Sequence, residues 1–239
     1  MVENLLDTDS INLARKKIYE EDGYFVIKNF MTSQDVESSI DFWVSDIGSE
    51  FVDFVKNTDV ISGTPKYKYN RPTARDFAYC THIWNAPLDE RMHEQVFVSN
   101  MIRNQILSKP LYFAAHEVTG QALQYRVNRT VSSDSVVKKH ADYFSEYRRD
   151  PTGCHDFDPS RLEITIFLSD YEKDYINGGF YFYKNGENSE PTLFGRDNAI
   201  GRGDLVIWRY SIFHEVCNVT PISEAGFLRV IIPTFDIKC

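Results

Sequence analysis

Six histidines stand in the chain: His82, His93, His116, His140, His155 and His214. Only His140 has a carboxylate two residues on, Asp142. On a strand, residues i and i+2 point to one face, so this pair can grip a metal ion from one side. Alone the pair is weak evidence, because the chain carries 35 acidic residues and a His-x-Asp arises easily by accident. A further histidine, His214, follows the run GRGDLVIWRYSIF. Two histidines and one carboxylate form the facial triad of non-haem Fe(II), which leaves open positions for a bidentate 2-oxo acid and dioxygen. Zinc accepts the same three ligands, so the set alone does not choose the metal. Arg229, fifteen residues past His214, tips the balance. A strand-borne arginine beside the metal can hold the far carboxylate of an oxo acid through a two-pronged ion pair. An edge-strand arginine facing water is the competing reading, and the triad outweighs it.

Such a site needs strands to carry it. After Gly120 short β-type runs appear: LQYRV (123–127), LEITIFL (162–168), GFYFY (179–183), DLVIW (204–208) and FLRVIIPTF (227–235). The turn signals DPTG, NGG, NGEN and GRGD separate them, the pattern of a β-sandwich or barrel. The first half reads differently. Residues 11–21 predict an amphipathic helix and 22–30 a turn and strand. Thr32 and Asp35 form a capping-box pattern before Val36, Ile40, Trp43, Val44, Ile47, Phe51, Phe54 and Val55, whose steps of three and four predict a long helix with one buried face. Residues 91–119 read as helix broken at Pro110, and 57–90 as an irregular, turn-rich stretch suited to a lid. The expected class is therefore α+β, mainly β with N-terminal helices: one domain over 1–239, with a largely helical part (1–119) and a β core (120–239). No repeat, low-complexity tract or linker divides it.

Composition narrows the partners. Hydrophobic residues make up 42% and aromatics 14%, enough for a sizeable core. The net charge of −9 carries no basic stripe, which argues against nucleic acid and against an anionic membrane surface. No signal-like or membrane-spanning run is present. Cys80, Cys154, Cys217 and Cys239 are widely spaced and read as free thiols. A cytoplasmic location is the expectation.

Four segments together carry a family resemblance: EEDGYFVIKNFMTSQDV (20–36), LQYRVNRTVSSDSVVKKHADYF (123–144), RLEITIFLSDYEKDYINGGFYFY (161–183) and GRGDLVIWRYSIFHEVCNVTPISEAGFLRVIIPTFD (201–236). Their order resembles the Fe(II)/2-oxoglutarate-dependent oxygenase superfamily, in its prolyl-hydroxylase-like and phytanoyl-CoA-dioxygenase-like branches. One departure is the gap between His214 and Arg229, nearer ten residues in the family; TPISEAG enlarges that turn here. The resemblance implies a double-stranded β-helix (jelly-roll) core with helices packed on one sheet. It implies His140, Asp142 and His214 as iron ligands and Arg229 as the 2-oxoglutarate anchor, with Tyr125 and Asn128 as weaker matches for co-substrate contacts. The reaction implied is oxidation of an unactivated C–H bond, coupled to decarboxylation of 2-oxoglutarate to succinate and carbon dioxide by O2. Hydroxylation is the usual outcome, and desaturation or oxidative ring closure are open to the same enzymes. Halogenating relatives lack the triad carboxylate, which Asp142 supplies here.

The remaining candidates have plainer competitors. Arg71, Arg75 and Tyr143 are substrate-contact candidates, with a solvated loop face and core packing as alternatives. Phe144 shares Tyr143's position. Glu215 alternates away from His214, and Cys154-His155-Asp156 is a remote candidate for a second metal. The substrate expected is a small metabolite. A peptidyl hydroxylase, a cupin-type metal enzyme without 2-oxoglutarate, and a non-catalytic binding module are the rivals.

Overall fold

The computed structural model describes residues 6–44, 67–70, 77–82, 90–115, 121–131, 137–142 and 161–236. Helix α1 (Thr8–Lys16) begins earlier than the apolar spacing predicts, because Asp7 caps it by accepting from the Ser10 amide at 2.7 Å. It runs on as a π turn, Lys17–Glu21, into strand β1 (Tyr24–Ile27). Thr32 caps the next helix, as half of the expected box: its hydroxyl accepts from the Asp35 amide at 3.2 Å and donates to the Asp35 carboxylate at 2.6 Å. Helix α2 (Ser33–Val44) buries Val36, Ile40 and Trp43 as the periodicity requires; its expected continuation to Val55 lies outside the described residues. Helix α3 (Glu90–Ile106) ends before the expected break at Pro110.

The other elements are strands: β2 (Tyr67–Asn70), β3 (Phe77–His82), β4 (Gln121–Thr130), β5 (Val137–His140), β6 (Leu162–Phe167), β7 (Tyr175–Ile176), β8 (Gly179–Tyr183), β9 (Thr192–Leu193), β10 (Leu205–Arg209), β11 (Phe213–Cys217), β12 (Thr220–Pro221), β13 (Phe227–Ile231) and β14 (Thr234–Asp236). The major sheet has the order β1-β10-β6-β13-β4-β3-β2, with β14 also on β4; the minor sheet has the order β5-β11-β8-β9, and β12 pairs β7. All these ladder pairings are antiparallel.

Two cores follow from strand alternation. One face of the major sheet (Leu162, Ile164, Ile166, Leu205, Ile207, Leu228, Val230) packs on Ile18, Trp43, Ile102 and Ile106 of the helical layer. Its other face (Phe167, Val206, Trp208, Phe227) packs on Phe180, Phe182 and Val216 of the minor sheet. The result is a jelly roll with helices on one sheet, as expected. The division into a helical part and a β part needs correction. Strands β1, β2 and β3 lie before residue 120 yet belong to the major sheet. The stretch 57–90, expected to be irregular, contains β2 and β3, and β3 pairs with β4. Its aromatic and β-branched residues form a hairpin that the neighbouring Pro and Gly signals obscure. Apart from Glu90, which begins α3, the other residues of that stretch, and the expected lid with them, lie outside those described.

The long connection before β13 has a structural use. Thr220 and Pro221 pair with Ile176 and Tyr175, and the Ile222 amide donates to the Asp174 carbonyl at 2.7 Å. The β7–β8 turn needs Gly178, at φ 119°, because a Cβ there would come within 1.8 Å of the Asn218 carbonyl oxygen.

Arg103 pins the helical layer to the sheet. This buried α3 side chain donates to the Ile232 carbonyl at 2.7 Å, the Leu162 carbonyl at 3.4 Å and Asn100 Oδ1 at 2.6 Å. Arg103→Leu strands those acceptors, and the expected loss is about 3 kcal/mol of unfolding free energy, read by urea denaturation.

Candidate metal centre

His140 ends β5 and His214 lies in β11, and the two face each other directly in the β5–β11 ladder. A register shift follows His214 before Val216, the kind of irregularity that re-aims a side chain. The imidazole rings lie 4.4 Å apart between centroids. Asp142, two residues past His140, closes the group: its Oδ1 is 3.3 Å from His140 Nε2 and its Oδ2 is 3.8 Å from His214 Nε2. One ligand atom from each residue falls within 4.8 Å of the others. Among the described residues this is the one such His/Cys/Asp/Glu group.

The hydrogen bonds fix the tautomers. His140 Nδ1 lies 2.7 Å from the Lys138 carbonyl and His214 Nδ1 lies 3.0 Å from the Ile212 carbonyl. A carbonyl only accepts, so each Nδ1 carries a proton and each Nε2, the atom a metal would take, is turned toward Asp142. Burial holds the His214 pKa below its ordinary value, with His140 and Arg229 adding to the effect against the pull of Asp142. Burial opposes the charge on Asp142, yet the His214 charge, a hydrogen bond from His140 and Arg126 together keep its pKa below the usual carboxylate range. A divalent metal requires a neutral imidazole and an ionised carboxylate, and the shifts of His214 and Asp142 both run in that direction. His140 and Asp142 are 27% and 28% exposed, so one side of the group opens to solvent for further ligands.

His214 itself is walled in. Trp208 meets it edge-on at 4.6 Å and Phe180 stacks on it at 5.5 Å. The Phe180 ring is shared with Arg229, whose guanidinium lies 5.5 Å from it and 4.9 Å from Phe227. Arg229 is buried, and its register partners are Asn128 on β4 and Phe167 on β6. Directly opposed residues share a face. Arg229 and Asn128 therefore both face the minor sheet.

Tyr125 does not join them. Its neighbours on β4 alternate, so it lies on the opposite face, within the core shared with the helices. Its hydroxyl donates to Gln95 Oε1 at 3.1 Å and its ring stacks on Trp43. The assignment of Tyr125 to a co-substrate contact is corrected accordingly: it ties α3 and α2 to the sheet. The β4 residues on the site face are Arg126 and Asn128. Arg71, Arg75 and Tyr143 lie outside the described residues, as do Phe144 and Cys154-His155-Asp156. Glu215 points away from the metal group and accepts from the Tyr183 hydroxyl.

Sequence reading missed Glu163. It is buried on β6, in register with Trp208, on the face toward the minor sheet. Thr165, two residues on, accepts from Trp208 Nε1 at 3.2 Å, which confirms that face. Burial, followed by the charge of Asp142, pushes the Glu163 pKa up to about 8 against Arg103, Arg161 and Arg126. The folded protein thus holds a proton that the unfolded chain releases above the ordinary value of 4.5. Stability of the metal-free protein is expected to fall as pH rises from 4.5 to about 8 through this group. Glu163→Gln removes that part of the slope, and urea denaturation across the window checks it.

No family model and no curated protein matches the chain by sequence. Solved structures do match it by fold. A Pseudomonas putida prolyl-4-hydroxylase aligns over 96% of this chain and all of its own, with TM-score 0.56 and 13% identity. The epimerase SnoN from nogalamycin biosynthesis, in complex with Fe3+, α-ketoglutarate and nogalamycin RO, aligns over 96% of this chain and 85% of its own, with TM-score 0.55 and 9% identity. A prolyl hydroxylase from Trichoplax adhaerens, in complex with a hypoxia inducible factor peptide, aligns over 98% and 96%, with TM-score 0.53 and 13% identity. The chain has the double-stranded β-helix fold of these 2-oxoglutarate-dependent enzymes.

Proposed function

We propose that this chain is an Fe(II)- and 2-oxoglutarate-dependent oxygenase of small molecules, with His140, Asp142 and His214 as the iron ligands. The observation that carries the reading is the convergence of two Nε2 atoms and one carboxylate within 4.8 Å. When bound there, Fe(II) supplies the dioxygen chemistry that no side chain has. The rest of the work belongs to the protein. The Lys138 and Ile212 carbonyls hold the two imidazoles in the ligating tautomer. Arg229 is the anchor for the distal carboxylate of 2-oxoglutarate, supported by its burial, its fixed charge and its contact with the ring that also covers His214. Asn128, opposite Arg229 in the ladder, is its neighbour in that subsite. Trp208 and Phe180 keep water off the His214 side. Hydroxylation is the primary reaction, and desaturation or oxidative ring closure are the variants open to the same site. The small-molecule assignment draws on the nogalamycin-biosynthesis enzymes among the structural neighbours, against the peptide-bound one.

The test is product. Protein loaded with Fe(II) in air is expected to convert 2-oxoglutarate to succinate, slowly without a second substrate. Asp142→Gly is expected to lower that rate by more than about 100-fold, beyond the effect of losing an outer partner of a ligand. Iron bound tightly with no 2-oxoglutarate consumed leaves a cupin-type enzyme instead. Failure to bind any divalent metal leaves a binding module.

A further inference from the structure

Glu163 is the buried acid that iron binding does not use. It is 2% exposed, and its Oε1 accepts no hydrogen bond among the described residues. A buried carboxyl oxygen without a donor is costly, and native proteins keep few such atoms without a use. Its position is specific. Glu163 lies on the β6 face that looks into the space between the sheets, beside Trp208, which itself packs on His214. Arg229 sits well along the sheet from it: β13 meets β6 at Phe167, four residues past Glu163, for the Arg229 pairing. The oxo-acid anchor and Glu163 thus lie at different heights along one sheet face, Arg229 opposite Phe167 and Glu163 opposite Trp208, the residue that packs on His214. An acceptor in that place reads whatever enters opposite the co-substrate.

Building on the oxygenase reading, we propose that Glu163 is a specificity-determining residue that accepts from a basic nitrogen of the substrate. A substrate carrying a protonated amine fits best. A cationic N–H donor gives the strongest partner for a carboxyl oxygen, and it favours the ionised form that burial alone disfavours.

The experiment uses the full-length protein loaded with Fe(II) and 2-oxoglutarate. The probes are the free L-amino acids and simple primary and secondary amines, each beside its N-acetyl counterpart. Succinate release and the visible charge-transfer spectrum are both recorded. The expected result is that particular free amines stimulate succinate release and perturb the spectrum, while their N-acetyl forms do not. In Glu163→Gln, the amine concentration for half-stimulation is expected to rise about 10- to 100-fold, as for loss of a charge-assisted hydrogen bond. The 2-oxoglutarate band still forms in that variant at saturating iron. Glu163→Gln without metal is also expected to be at least as stable as the parent near pH 8, whereas a purely structural Glu163 would give a less stable variant. The proposal is overturned if the band forms and no amine stimulates, if N-acetyl compounds work equally well, or if Glu163→Gln responds as the parent does. Absence of the band in the parent protein instead removes the oxygenase reading, and this inference with it.

Discussion

His214→Ala is expected to abolish the coloured complex that the parent protein forms with Fe(II) and 2-oxoglutarate, and to reduce succinate release to background. Losing an outer partner of a metal ligand already costs about 10- to 100-fold in affinity, and His214 is proposed here as a ligand itself. It is also the most enclosed of the three, buried under Trp208 and Phe180. Water can replace an imidazole at an exposed position more readily than here. Acid should mimic the substitution. The buried imidazole is neutral at neutral pH, and protons compete with the metal only once pH falls below the ordinary histidine value of 6.5. The same shift has a sign for folding. The unfolded chain takes up the His214 proton first, so stability is lost as pH falls from 6.5 through the lower folded value. Metal titrations from pH 8 to 5, on the parent and on His214→Ala, separate the two effects. Undiminished metal binding by His214→Ala would remove it from the triad.

Arg229→Ala is expected to raise the 2-oxoglutarate concentration for half-maximal rate from roughly 30-fold to several thousand-fold, with Fe(II) affinity little changed. Truncating one partner of a buried, hydrogen-bonded charge pair costs about 2–5 kcal/mol. Arg229 meets the burial condition, on β13 between Phe180 and Phe227, and the co-substrate carboxylate would complete the charge pair. Arg229→Lys keeps the charge and loses the planar fork, so it should recover part of the affinity. An unchanged half-saturation in Arg229→Ala would place the co-substrate carboxylate elsewhere.

Most of the fold was legible because its signals are local. Short β-type runs bounded by turn signals marked β4, β6, β8, β10 and β13, and the spacing of Val36, Ile40 and Trp43 marked the buried face of α2. The metal group was legible because two of its residues stand two apart in the sequence, His140 at the end of β5 and Asp142 just past it, and a His-x-Asp pair needs no knowledge of topology. What stayed hidden depends on pairing between distant strands. Strand β5, VKKH, is short and charged and has no apolar alternation; it exists because β11 holds it. Tyr125 shows the same limit in finer form. A strand tyrosine near His140 in the sequence can face either layer, and only the parity set by Arg229 opposite Asn128 decides it. Glu163 sits in LEITIFL, where one acid in an apolar run gives no hint of what faces it. Its meaning comes from Trp208 beside it and His214 beyond, residues far away in sequence.

The most direct test of the central claim is an anaerobic titration of Fe(II) and then 2-oxoglutarate into metal-free protein, followed by visible absorption. Charge transfer needs a metal that gives up an electron and an oxo acid that chelates it, so Zn(II), with its filled shell, cannot imitate the signal. The structure predicts one band per chain at saturation, absent with Zn(II) and absent in His140→Ala. Iron that binds at this site with no band on adding 2-oxoglutarate would contradict the account.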